Sequence, residues 1–177
     1  MMFDISKSVG CTERMNYLKR GFLFYMCSSC MLLVQFAIYL VNSNYWESLN
    51  FVGGFYYLMA ALGQAFLFNL IPWVILYIPF TWWRQMRKVG TILFSCAIFL
   101  LNVLAYLNGI VFQLYKFHIN GFVLDLAFGG GGNQVFVFNN TLILHGVLIG
   151  LLILLFTLAV VFIAYRYARY VTSKQVK

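Results

Sequence analysis

The sequence predicts an all-α, polytopic membrane protein: a bundle of four transmembrane helices with both termini in the cytoplasm. Three observations predict it. Hydrophobic residues fill 63% of the 177 positions and charged residues only 9%, whereas a soluble domain carries about 25% charged residues. Four apolar runs lack Lys, Arg, Asp and Glu altogether, and each can cross roughly 30 Å of hydrocarbon, which takes about 20 helical residues. Of the twelve basic residues, all but Lys116 fall on one side of the resulting threading, the side that the positive-inside rule assigns to the cytoplasm.

Residues 1–20 read as a basic cytoplasmic tail with Lys7, Arg14, Lys19 and Arg20. The first helix is expected over about 21–41. That run is too long for the apolar core of a signal peptide and no small-residue cleavage site follows it, so it stays as an anchor. Tyr45 and Trp46 mark its outer end, because aromatic residues gather at membrane interfaces. The second helix is expected over about 55–80, with Pro72 and Pro79 each removing a backbone donor and bending it. Trp82, Trp83, Arg84, Arg87 and Lys88 then form a cytoplasmic turn. The third helix is expected over about 89–111 and the fourth over about 141–165, and residues 166–177 form a second basic tail. Lipid offers no partners to backbone amides, so each crossing must be helical. The net charge of +8 is spread as topology signals beside the apolar runs and not as one patch, which argues against a nucleic-acid partner.

The side chains that could carry chemistry are few. Cys27 and Cys30 form a CxxC, but they lie within the first helix, and the outer loops 42–54 and 112–140 contain no cysteine for a thiol-oxidising site. Buried cysteines of this kind behave as small hydrophobes. His118 and His145 lack the accompanying ligands of a metal or haem site, and no cofactor is expected. Gln35, Gln64, Asn69, Asn102 and Asn108 are neutral amides within the bilayer, suited to bonding between helices at about 1 kcal/mol each. Ion-coupled transport usually keeps an ionisable residue there. Gly146 and Gly150 form a GxxxG, and Ala61 and Ala65 share its spacing. Both pairs are candidates for close helix packing, within this bundle or against another membrane protein. Gly129–Gly132 lacks the Lys and Ser/Thr of a phosphate loop and reads as a turn, and the sequon at Asn139 abuts the bilayer.

The loop 112–140 is too apolar for a free aqueous segment and too interrupted to span. An interfacial or re-entrant segment fits, with Phe117, Ile119, Phe122, Leu124 and Leu126 toward lipid or the bundle and with Lys116 and His118 near phosphate headgroups. The stretch Lys116-Phe117-His118-Ile119-Asn120-Gly121-Phe122-Val123 resembles a (K/R)FH(L/I)N-x-(F/I)-V motif between the third and fourth helices of the YejM (PbgA) family of Gram-negative inner-membrane proteins. The helix spacing and the Trp/Arg-rich turn are similar as well, so the resemblance runs from about Gly21 to Arg169. It marks Lys116, Phe117, His118, Asn120 and Asp125 as motif or headgroup residues. That family has five membrane helices followed by a periplasmic domain of the sulfatase type. The present sequence stops after four, which leads to the expectation of a truncated gene product, a split reading frame or a fragment.

The resemblance implies a membrane-anchoring and regulatory module without chemistry of its own, in the inner membrane of a Gram-negative bacterium. It would be linked to lipopolysaccharide or anionic-lipid homeostasis, with a membrane protein as partner. Two other classes stand beside this expectation. One is a small lipid-handling or solute transporter with a path along Gln64, Asn69, Asn102 or Asn108. The other is a membrane thiol redox protein using Cys27 and Cys30.

Overall fold

The computed structural model describes residues 2–42, 50–116, 118–129 and 140–175. It is all-helical, with no strand among the described residues. Helix α1 spans Met2–Asn42 and α2 spans Phe51–Pro72. The second crossing continues as a π-helical turn, Trp73–Tyr77, and a 3-10 turn, Ile78–Thr81. A short 3-10 turn, Arg84–Met86, leads into α3, Arg87–Tyr115. The short helix α4 covers Gly121–Phe128, and α5 runs over Asn140–Gln175. Four of these segments are long and apolar enough to cross a membrane: Cys11–Val41, Phe51–Thr81, Arg84–Tyr115 and Ile143–Tyr167.

Three of the four crossings are longer than the apolar runs that predict them, and the helix of the fourth continues past its run. The stretches 1–20 and 166–177, expected as tails, are helical from Met2 and up to Gln175. Hydropathy marks where side chains leave hydrocarbon, but a helix satisfies its own amides on either side of that boundary. No proline interrupts Met2–Asn42, so α1 continues as one rod. The start of α2 is set by a cap. The Asn50 side chain accepts from the Gly53 N–H at 2.7 Å, which satisfies an orphan donor of the first turn and places the helix start at Phe51.

The two prolines do not act as one simple kink. Pro72 closes α2, and the chain widens so that the Ile78 N–H reaches back five residues to the Trp73 carbonyl. Pro79 then falls in the first positions of the tighter 3-10 turn, where a missing donor costs least. Tyr77 sits at the junction, 1% exposed.

Helices α1 and α3 form the centre, and α2 and α5 each pack on both of them. At the end that carries both chain termini, the tail end, aromatic side chains fill the interior: Tyr17, Phe24, Tyr25, Tyr77 and Phe94, with Ile98 and Val160. The Tyr17 and Tyr77 rings stack at 4.2 Å and 2°. Each hydroxyl donates to the other residue's carbonyl, Tyr77 to Tyr17 at 2.8 Å and Tyr17 to Tyr77 at 3.4 Å. Two glycines make this stack possible. A Cβ on Gly21 would collide with the Tyr77 ring, and one on Gly90 would lie 2.6 Å from the Tyr17 hydroxyl. Arg87 closes the end of the second crossing by donating to the Thr81 carbonyl at 3.2 Å, and Glu13 of α1 pairs with Arg84 at 2.8 Å and with Arg87 at 3.5 Å. These pairs tie α1 to the turn. Arg84 is exposed, so its pair is worth at most about 1 kcal/mol, while the Arg87–Glu13 pair is part-buried and longer.

Candidate functional site

At mid-depth a polar node joins three helices. Asn69 of α2 accepts from the Ser28 hydroxyl at 3.1 Å and donates to Ser29 at 3.3 Å. Asn102 of α3 donates to Ser28 at 3.5 Å and accepts from Gln35 at 3.1 Å. Ser28, Ser29, Asn69 and Asn102 are all essentially inaccessible. Bonds of this kind between membrane helices contribute about 0.6–2 kcal/mol each. The serines belong to the CxxC segment, in which the cysteines drew attention first. All four cysteines, Cys11, Cys27, Cys30 and Cys96, are unbridged, and Cys30 and Cys96 are exposed. In Cys27–Cys30 the interior positions thus belong to the two serines. The Oε1 of Gln35 is buried without a partner, so the node is not closed at its far side.

Beyond the node, at the end that carries α4, the segment expected to be interfacial has a definite architecture. Helix α3 stops because Lys116 turns left-handed, φ 63°, a conformation that costs a non-glycine residue about 1–2 kcal/mol. Its N–H still donates to the Phe112 carbonyl at 2.9 Å. Two turns earlier, Asn108 holds the returning chain. Its Oδ1 accepts from the Ile119 N–H at 2.8 Å, and its Nδ2 lies 3.1 Å from His118 Nδ1. The first bond fixes the amide orientation, so Nδ2 is the donor and Nδ1 holds a lone pair. A neutral imidazole then carries its proton on Nε2. The ring stacks on Phe112 at 4.6 Å and 20°, and Tyr39 of α1 packs against Phe112 at 5.3 Å. Lys116 Nζ lies 6.0 Å from the Phe112 ring centre.

Asn120 starts α4. Its side chain accepts from the Val123 N–H at 3.1 Å, an N-cap, and Gly121 opens the helix. Val123 is buried, while Leu124 and Asp125 are exposed. Phe117, Gly130–Gly132 and the sequon residue Asn139 lie outside the described residues, as do the side chains of Phe122 and Leu126. The motif residues are thus largely a stop, a clamp and a cap. Asn108 was legible only as a bilayer amide, and its partnership with the loop needed the fold.

The crossings separate toward this end and leave a cleft of about 1650 Å³, lined by residues of all four spanning helices together with His118, Ile119 and Leu124. It exceeds the roughly 300–1,000 Å³ of drug-sized ligand sites. His145 lines it, as do Gln64, Asn108 and Tyr57. Tyr57 is anchored by donating to the Phe36 carbonyl at 2.7 Å. The two small-residue pairs fare differently. Ala61 and Ala65 are buried, so α2 presses closely on its neighbours there. A Cβ on Gly146 or Gly150 would meet nothing within 4 Å, so this GxxxG does not pack within the bundle as expected. The reason is the separation of α5 at this end. No cluster of three or more His, Cys, Asp or Glu side chains that could hold a metal exists among the described residues.

The family described as "Domain of unknown function (DUF3413)" matches residues 12–177, from the first turns of α1 to the end of the chain. No curated protein and no solved structure matches significantly. A family match over nearly all of the four crossings, the aromatic interior and the Lys116–Val123 segment places the chain: it belongs to the DUF3413 family.

Proposed function

We propose that this chain is the membrane-anchoring and regulatory module of a sulfatase-like envelope protein of the YejM type, in the inner membrane of a Gram-negative bacterium. The tail end lies in the cytoplasm, α4 faces the periplasm, and the module is linked to lipopolysaccharide or anionic-lipid homeostasis. Chemistry belongs to a periplasmic domain of the family and not to these helices. The observation that carries the reading is the Lys116–Val123 segment. Its resemblance to the family motif coincides with a built element, in which Asn108 fixes His118 and Ile119 and Asn120 caps α4. In this reading Lys116 and the Nε2–H of His118 meet the headgroups, where a lysine contributes about 1 kcal/mol toward an anionic surface.

The test is expression in a Gram-negative host depleted of its own YejM-type protein, with lipopolysaccharide per cell as the readout. The wild-type chain is expected to shift that level, and Lys116→Glu combined with His118→Ala is expected to abolish the shift. Equal levels for wild type, variant and empty vector would overturn the reading. Reporter fusions after Phe138 and after Lys177 are expected to light up in opposite compartments. The cleft favours lipid handling as a second reading, and solute passage would in addition require water-accessible labelling along Gln64, Asn69, Asn102 and Asn108.

A further inference from the structure

We infer that the cleft at the α4 end is a binding site for one diacyl phospholipid, with an acyl chain between the separated helices and a phosphoethanolamine-type headgroup at the mouth. The placement of the headgroup rests on the reading above that Lys116 and His118 meet phosphate. The acyl-chain site rests on the cleft alone.

Depth and lining argue for the chain. The cleft opens within segments that cross hydrocarbon, so its surrounding solvent is lipid. Leaving about 1650 Å³ unfilled would forfeit the dispersion contacts of every side chain along it. Leu104, Ile149, Leu152 and Phe156 give it apolar walls. Ala60 and Ala105 keep bulk out of it, and the seam face of α5 continues past it through Gly146 and Gly150, whose missing side chains leave open space.

The charges at the mouth argue for the headgroup. Among the described residues this end offers one cation, Lys116, and one acid, Asp125, both exposed. Asp125 directly follows Leu124, which lines the cleft. His118 adds an N–H donor at Nε2, since its Nδ1 is occupied by Asn108. One charge of each sign matches a headgroup that carries a phosphate and an ammonium. A singly anionic headgroup would leave the Asp125 carboxylate opposed, and a quaternary ammonium offers it no N–H. An exposed carboxylate with no ion-pair partner among the described residues is otherwise a cost at a phosphate site.

The experiment is native mass spectrometry of the full chain, delipidated in detergent and titrated in parallel with dioleoyl phosphatidylethanolamine, phosphatidylglycerol and phosphatidylcholine. Expected is one retained phosphatidylethanolamine, held more tightly than the other two. Ala105→Trp and Ala60→Trp, which fill the cleft, are expected to lose it. Leu100→Trp, on an exposed face of α3 outside the cleft, is expected to keep it. Lys116→Glu is expected to weaken retention about fivefold, the worth of one lysine at a phosphate surface. Far-ultraviolet circular dichroism confirms the fold of each variant, and Lys116→Glu carries the test if both tryptophan variants misfold.

Equal retention by wild type, Ala105→Trp and Ala60→Trp overturns the cleft site and leaves the regulatory reading standing. Retention that depends on the cleft but prefers phosphatidylglycerol, or ignores headgroup, overturns the zwitterion assignment. Indifference to Lys116→Glu also removes the headgroup role on which the regulatory reading draws. A change from dimer to monomer in Ala105→Trp without loss of lipid identifies the occupant as a second copy and overturns the proposal.

Discussion

Helix α5 carries one inward seam, and its two halves behave differently. Gly146, Gly150, Ile153, Thr157, Val160 and Ala164 recur at alternating intervals of four and three, the spacing that keeps one side of a helix facing its neighbours. Ile153, Thr157, Val160 and Ala164 are buried. Gly146 and Gly150 face open space. The tail half of the bundle is closed by interlocking rings and the α4 half is open, although both halves of the helix present the same pattern. Seam spacing therefore fixes which side of a helix looks inward. Whether anything meets it depends on the size of the facing side chains.

Substitutions on the two halves sharpen or break this contrast. The largest effect is expected for Gly21→Leu. Even a Cβ there collides with the Tyr77 ring, and the loss in detergent unfolding should reach about 3 kcal/mol, the upper end of overpacking costs. A shift near zero would mean that the Tyr17–Tyr77 stack does not hold the tail half. Next comes Asn102→Leu, which removes the link between Gln35 and Ser28 at the boundary of the two halves. About 1–2 kcal/mol is expected in the same assay. Asn108→Ala acts locally. Hydrogen exchange at the Ile119 amide should accelerate while global unfolding moves by less than about 0.5 kcal/mol, because the clamp lies outside the packed interior. A global loss as large as that of Asn102→Leu would tie the α4 end to the core after all. The smallest effect belongs to Gly150→Leu, within about 0.5 kcal/mol of wild type. If it cost as much as Gly21→Leu, the open half would be closed in the folded protein and the contrast would fail.

Much of the architecture was legible in the sequence because hydrocarbon imposes helix and length together. The four apolar runs located the crossings directly. Their ends were not legible from hydropathy, since the Asn50 cap and the proline-free extension of α1 are local backbone features. The interhelical role of Asn69 and Asn102 followed from their polarity, but their partners Ser28 and Ser29 sat behind the more conspicuous cysteines. The cleft was not legible at all. It arises from the separation of α5, and Gly146 and Gly150 suggested the opposite, a close approach. Of the motif, the sequence points to Lys116 and His118 as headgroup contacts. The structure adds that Lys116 terminates α3, that His118 is clamped to Asn108 and that Asn120 caps α4. These are local structural roles, which composition does not announce.

Helix α1 runs 41 residues without a break, about 60 Å at 1.5 Å per residue. A rod of that length works as a lever. Each degree of tilt at one end displaces the other by about 1 Å. Tyr39 packs against the Phe112 ring that supports His118, and Glu13, on the same rod, pairs with Arg84 and Arg87. Tyr39 and Glu13 thus sit toward the two ends of one unhinged helix, so a rigid tilt of α1 would move both together.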